Sequence, residues 1–229
     1  MELGAGSALP SLLAATLPKG RHASLVVVTE YPDPSIMNTL AGNVERARER
    51  RGKSHPTVYH RTTEECEEGK EEHCKIECAE YEWGSDVSQL LLSICQSHSR
   101  QSSDVSFPNF SNFLPNSTGP GFDIVIMSDL LHFGSEHSAL VASLAALLSK
   151  SRGSRVYVAA GNYTKQDVCD RFIDQARRAG LLLVEESYQQ VGWQGEIVVR
   201  GQGLDREGLR RRRDMSRLWV GRWTDGMTE

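Results

Sequence analysis

Short apolar blocks recur along the chain, and between them apolar residues fall at helical spacing. Ser24–Thr29 (SLVVVT), Asp123–Met127 (DIVIM), Arg155–Ala160 (RVYVAA) and Leu181–Glu186 are such blocks. Continuous apolar runs rich in β-branched residues predict strands buried on both faces of a parallel sheet. Ile76–Tyr81 reads as a weaker strand, and Glu2-Leu3 as the stub of another. Helices are predicted over Ala8–Leu17, Ser35–Arg50, Val87–Cys95, Glu136–Lys150 and Lys165–Ala179. Ser35 and Asp86 are the expected N-caps, and Gly180 the residue that closes a helix. Two further strand candidates, Glu196–Arg200 and Arg217–Trp223, flank a basic segment at Arg206–Arg213. Alternating strands and helices predict an α/β fold, a parallel sheet with helices on both faces. The final pair of strands predicts an antiparallel edge strand on that sheet.

Two polar stretches interrupt the alternation. Residues 51–75 carry the acidic run Glu64–Glu72, and Ser97–Gly121 is rich in Ser, Asn, Pro and Gly. They read as a solvated excursion and a low-complexity loop insertion within one domain spanning 1–229. At 229 residues the chain suits a single domain. A net charge of -4 argues against a nucleic-acid backbone as partner. Arg210–Arg213 accordingly reads as a solvated helix face. The longest apolar run, Ala139–Leu148, is too short for the roughly 20 residues that cross a bilayer, so no membrane partner is expected. Ser7–Leu17 lacks the cationic flank of a signal peptide. The five cysteines fit neither a disulfide framework nor a zinc site: His73, Cys74 and Cys78 match no common ligand spacing. The expectation is a monomeric cytoplasmic protein with no metal, whose sequons at Asn109, Asn116 and Asn162 are chance.

The candidate chemistry lies at the first residues. Gly4-Ala5-Gly6 follows a strand stub and precedes a helix, and Glu30 closes the next strand. The glycines allow a tight turn and close approach of a ligand to the backbone. An acid at the end of the second strand suits ribose hydroxyls. A dinucleotide site wants a third glycine where Leu9 stands, and a helix N-terminus open to a pyrophosphate. Leu9-Pro10 offers neither. An adenosine ligand without phosphate, S-adenosylmethionine, fits better.

ELGAGSALPSLLAA, VVVTEYPDPSIMNTLAGNV, YEWGSD and FDIVIMSDLLHFGSEHSALVASL occur in that order. Together they resemble the class I S-adenosylmethionine-dependent methyltransferases of the lysine methyltransferase-like family. The resemblance is to its fungal nicotinamide N-methyltransferase-like group, beside the elongation factor 1-alpha N-terminal and lysine methyltransferases. It implies a Rossmann-like doubly wound seven-strand sheet with an antiparallel last strand. It also implies roles. Gly4, Ala5 and Gly6 surround the amino-acid part of the cofactor, and Glu30, where the family has Asp, holds the ribose. Trp83 and Asp86 lie at the adenine. Ser128 and Asp129 face the methionine side and the acceptor, with Asp129 the candidate catalytic residue. His132 stands where the family has Phe or Tyr. Each has an ordinary alternative: Glu30 a solvated acid, Trp83 core packing, Asp129 a helix cap, His132 a surface side chain.

The resemblance implies an N-methyltransferase acting on a protein amine, a lysine or N-terminus, with a translation elongation factor as candidate. A nicotinamide-like small amine is the alternative acceptor. A third reading is a non-catalytic remnant that keeps the fold. A strand stub of two residues predicts that Met1 is an internal start, so that the chain is an incomplete core enlarged by loops.

Overall fold

The computed structural model describes residues 1–17, 23–52, 74–92, 121–186, 206–224 and 226. The stretches 53–73, 93–120 and 187–205 lie outside them. So do most of the acidic excursion, the loop insertion, the far end of the helix expected at Val87–Cys95 and the strand expected at Glu196–Arg200. The described elements are β1 (Glu2–Leu3), α1 (Leu9–Ala15), β2 (Leu25–Glu30), α2 (Pro34–Gly52) and β3 (Lys75–Glu80). A helix α3 follows, described over 88–92. Then come β4 (Ile124–Ser128), α4 (His137–Leu147), β5 (Arg155–Gly161), α5 (Gln166–Arg178), β6 (Leu181–Glu185), α6 (Arg206–Asp214) and β7 (Ser216–Trp223).

The seven strands form one sheet in the order β3-β2-β1-β4-β5-β7-β6. Pairing is parallel from β3 through β5. Side chains alternate across the sheet as a period of two requires. Val26 and Val28 pack with Leu40 and Val44 of α2 on one face, while Val27 joins the opposite core. That second core gathers Val125 and Met127 of β4, Leu140, Leu144 and Leu147 of α4, and Phe172 of α5. In α5 the buried Cys169, Phe172 and Ala176 recur at three- and four-residue spacing, one stripe against the sheet. Gly180, at φ +87°, turns the chain out of α5 as expected.

Two expectations are corrected. The antiparallel strand is not at the edge. β7 inserts between β5 and β6, which leaves β6 outermost. Its sequence suits the interior. Trp219 and Trp223 are buried, and Gly221 lies where an added Cβ would overlap Val156 of β5 and crowd Leu183 of β6. The second correction concerns α2, which Asp33 caps in place of Ser35. Asp33 Oδ1 accepts from the backbone N–H of Ser35 (2.8 Å) and of Ile36 (3.3 Å). Pro34 takes the first helical position, where its missing N–H costs nothing. Hydrogen bonds from the Ser35 hydroxyl and from these amides hold the Asp33 carboxyl below its ordinary range. Asp86 does act near a helix start: its Oδ1 accepts from Ser88 N (3.2 Å) and Oγ (2.8 Å).

Glu2 is fully buried in β1, opposite Val28 on one side and Ile126 on the other. Its Oε2 accepts from Ser11 N–H (3.2 Å), and Oε1 has no partner among the described residues. Desolvation pushes the carboxyl above its ordinary 4.5, against the pull of the Ser11 hydrogen bond. Below that ordinary value the group is neutral in both the folded and unfolded chains, and the associated stability is intact. It is lost as pH rises through the folded-state value. Glu2→Gln is therefore expected to melt above the wild type at pH 8, with the gap closing at pH 4. Thermal unfolding at the two pH values checks this, and an equal gap at both refutes it.

Candidate functional site

In an open α/β sheet, ligands sit beyond the carboxyl ends of the strands, where the strand order reverses. Here that point lies between β1 and β4, since α1 leads from β1 to β2 on one side while β4 pairs on the other. The turn after β1 is shaped by three left-handed residues: Gly4 (φ +55°), Gly6 (φ +51°) and Ala8 (φ +57°). Ala5 N–H ties the turn to Thr29 O at 2.8 Å. At Gly4 a Cβ would come within 2.8 Å of Leu130 Cδ2 and 3.0 Å of Trp83 Cζ2. At Gly6 a Cβ would meet nothing within 4 Å. One glycine lets the walls close in; the other leaves the turn open.

Glu30 ends β2 beside this turn. Its Oε2 accepts from Gly6 N–H (2.7 Å) and its Oε1 from Tyr31 N–H (3.0 Å). Glu30 thus stands half-exposed at the strand end with both carboxylate oxygens tied to backbone amides.

Trp83 follows β3, in a turn that α4 fixes. The Tyr81 hydroxyl donates to Ser143 Oγ (2.9 Å), and Gly84 N–H donates to the same oxygen (2.8 Å). Gly84 takes φ +84°, and a Cβ there would come within 3.2 Å of Ala139 Cβ of α4. Burial pushes the Tyr81 phenol above its ordinary value. Trp83 stands half-buried, packing on the core and meeting Phe133 edge-on with centroids 5.6 Å apart.

The turn after β4 carries Asp129 in the left-handed conformation, φ +63°. Its N–H reaches Ala159 O at 2.7 Å. Its carboxylate does not cap a helix. Oδ1 accepts from the N–H of Gly161, the last residue of β5 (3.2 Å), and Oδ2 accepts from the hydroxyl of Tyr163 in the loop that follows. This hydrogen bond pushes the Tyr163 phenol up to about 12, so it stays a neutral donor through the physiological range. Gly161 makes the arrangement possible, because a Cβ there would overlap the Tyr163 ring. Ser128, half-buried, ends β4 opposite Ala159.

His132 is exposed, tilted over Phe133 at 4.0 Å and 6.0 Å from the Tyr163 ring. It is thus one member of an aromatic rim. The turn is anchored from below by buried His137, whose Nε2 donates to Leu131 O at 2.8 Å while its ring meets Phe172 edge-on.

The fold brings Gly4, Ala5, Gly6, Glu30, Trp83, Ser128 and Asp129 to one edge of the sheet, around the β1–β4 crevice. Asp86 stands exposed and accepts hydrogen bonds from Ser88 at the start of α3. Sequence reasoning missed Tyr163, Phe133 and His137. Gly161-Asn162-Tyr163 sits at the carboxyl end of a predicted parallel strand, and that position was the available signal for Tyr163. A cavity of about 390 Å³ lies at the opposite edge, lined by Leu17, Leu25, Val26, Phe122, Ile124 and Ile126 among others. It contains none of the site residues, and its walls are mainly apolar. Among the described residues no group of His, Cys, Asp and Glu could hold a metal. No helix among them is long and apolar enough to cross a membrane.

The strand order, with an antiparallel seventh strand inserted beside the fifth, and a glycine turn at the switch point make a Rossmann-like, doubly wound α/β sheet. The resemblance read from the sequence also holds. The chain is a relative of the fungal proteins named protein N-terminal and lysine N-methyltransferase EFM7. The Gibberella zeae protein is 32% identical over 186 residues, covering 79% of this chain and 55% of the relative. The Neurospora crassa protein is 30% identical over 185 residues, covering 80% and 52%. The Schizosaccharomyces pombe protein is 27% identical over 158 residues, covering 69% and 44%. The chain thus spans about half the length of the curated relatives it matches. No family model matches it. Solved structures similar to it include a methyltransferase from Pyrococcus furiosus (11% identity, TM-score 0.47, 96% of this chain and 73% of that one). Another is the complex of the Haloferax volcanii Trm112 methyltransferase activator with a methyltransferase partner (13%, TM-score 0.45, 97% and 80%).

The two glycines should respond differently to the same change. Gly6→Ala carries only the left-handed cost, roughly 1–2 kcal/mol. Gly4→Ala adds overlap with Leu130 and Trp83, for a total of about 2–5 kcal/mol. Urea denaturation of both variants tests this. Equal losses would show that the Leu130–Trp83 wall does not constrain the turn.

Proposed function

We propose that the chain is an S-adenosylmethionine-dependent N-methyltransferase acting on a protein amine, a lysine side chain or an N-terminus. One observation carries the reading. At the β1–β4 crevice an open glycine turn, spanned by Glu30, faces a carboxylate, Asp129, set among aromatic side chains. The printed names of the fungal relatives support it. The resemblance supports a translation elongation factor as the protein that bears the amine.

The residues present fit the cofactor. Gly6 leaves a cradle that a Cβ would not find filled, and Glu30 brings two acceptor oxygens to its rim. Gly4, Ala5 and Gly6 would hold the amino-acid part, Glu30 the ribose hydroxyls, Trp83 and Asp86 the adenine, and Ser128 the methionine side. When bound, S-adenosylmethionine supplies a methyl group on a sulfonium, a leaving group already activated by its charge. The chain's own work is chiefly to align an amine, and positioning of this kind is worth roughly 7–11 kcal/mol in favourable systems. Phe133, His132 and Tyr163 narrow the approach to the crevice. Asp129, held by Gly161 N–H and the Tyr163 hydroxyl, can orient an ammonium and accept its proton at a carboxylate oxygen.

Methylation of cell-extract proteins with labelled cofactor tests the proposal. Transfer to a protein band is expected. Transfer to nicotinamide alone would favour the small-molecule reading, and failure of the folded protein to bind the cofactor would overturn both. In calorimetry, Glu30→Ala should weaken cofactor binding by about ten- to a hundredfold, the scale of hydrogen bonds to a charged group. An unchanged affinity would remove Glu30 from the ribose. Because the attacking nitrogen must be neutral and the Tyr163 phenol, pushed up to about 12, stays protonated over this interval, the rate on a lysine peptide should climb from pH 7 to pH 9. A decline across that interval would contradict this assignment.

A further inference from the structure

The antiparallel direction of β7 has a geometric consequence. The parallel strands end at the site edge, whereas β7 begins there, with Ser216 paired to Gly161. The helix that leads into β7 must therefore stand beside the crevice. That helix, α6, reads REGLRRRRD, five arginines against two carboxylates, in a chain of net charge -4. It is tied directly to the loop that presents Tyr163. Asn162 N–H donates to Met215 O (2.8 Å), and Asn162 Nδ2 donates to Asp214 O (3.1 Å). Arg210, Arg211 and Arg212 are exposed. Arg211 pairs with Glu207, an exposed pair one helical turn away that leaves much of its charge open to a partner.

The other side of the crevice has the opposite sign. Glu30, Glu80 and Glu82 stand at the carboxyl ends of β2 and β3, and Asp33 starts α2. The edge is thus polarised: acidic over β2 and β3, and net basic beyond β5, where the arginines of α6 outnumber Glu207, Asp214 and Glu186 while Arg217 pairs with Glu185 at the end of β6, with Asp129 between.

We infer that α6 is a docking surface for an acidic segment of the substrate polypeptide, next to the amine that is methylated. This rests on the methyltransferase reading of the crevice and adds the substrate's charge pattern to it. The amine meets Asp129 while carboxylates a few residues along the same chain lie against the exposed arginines of α6. α6 is nine residues long, about 13 Å at 1.5 Å per residue. An extended peptide covers that length in about four residues at 3.3–3.6 Å each. The recognised acids therefore span about four positions of the segment. Acidic peptide is favoured over nucleic acid because the segment must continue from an amine, and because the acidic flank of the same crevice repels a phosphate backbone.

The test uses the full chain and two fluorescent lysine peptides, one with Asp and Glu near the lysine and one with Asn and Gln in their place. Anisotropy reads binding without requiring methyl transfer. The acidic peptide should bind at least tenfold tighter, and the difference should shrink on raising salt from 50 to 300 mM. In methyl transfer the preference should appear in KM, with kcat within about twofold. The double variant R210E/R212E should abolish the preference while cofactor affinity, which also reports an intact fold, stays unchanged. Equal binding of the two peptides by the wild-type chain, or a preference that survives R210E/R212E, overturns the inference. So does single-stranded RNA that displaces the acidic peptide at concentrations well below the peptide's own dissociation constant. Salt-dependent acidic-peptide binding with no methyl transfer to any acceptor would leave docking standing and bring down the enzymatic reading. Transfer to both peptides with equal KM would do the reverse.

Discussion

At Gly4 the backbone passes so close to Leu130 and Trp83 that a single added carbon would overlap their side chains. The remainder of the site depends on this approach. It brings the turn after β1 against the turns that follow β3 and β4, three loops separated by long stretches of sequence. The approach is possible because β1 is wedged between β2 and β4, parallel to both. Only at that position does the chain leave the sheet with helices diverging on either side. A left-handed conformation then turns the backbone away before it collides, and glycine adopts it without the penalty other residues meet.

Around that contact the fold uses backbone and buried groups to hold exposed ones. Ser143 of α4 receives both the Tyr81 hydroxyl and Gly84 N–H, so a core helix sets the turn that presents Trp83. His137, buried at the start of the same helix, holds Leu131 O and thereby the turn that presents His132 and Phe133. Asp129 reaches across to the loop after β5, where two donors fix both of its oxygens. A single rigid helix thus supports two of the loops at the crevice, and the fourth and fifth strands lock each other's loops. Two of the exposed loops are thus set by side chains that are themselves buried, Ser143 and His137.

Much of this was legible in the sequence, and the reasons are local. The runs LVVVT, DIVIM and RVYVAA are strands because β-branched residues pack well on a pleat, and all three emerge within about one residue of expectation. Gly4, Gly6 and Gly180 were marked by their conformational freedom. The cap on α2 was misassigned to Ser35 because both Asp33 and Ser35 are good caps, and only the backbone path through Pro34 decides between them. The edge placement of the antiparallel strand failed for a different reason. Which neighbour a strand pairs with depends on surfaces distant in sequence, here Val156 and Leu183 closing over Gly221. Tyr163 was passed over because nothing near it in sequence signals a partner; Asp129, its acceptor, is 34 positions away.

The sequence by itself determined the class of fold and the residues at the glycine turn and after β2, because periodicity, β-branching and glycine content act within a few residues of where they are read. The tertiary structure decided the order of the last two strands, the role of Asp129 as a tethered carboxylate in place of a helix cap, and the polarity of the crevice. The last follows from direction. One antiparallel strand reverses the chain, brings an arginine-rich helix to the edge where the other six strands end, and sets it across the crevice from the acids of β2 and β3. Those charges meet only through the pairing of β5 with β7, a contact between segments about sixty residues apart.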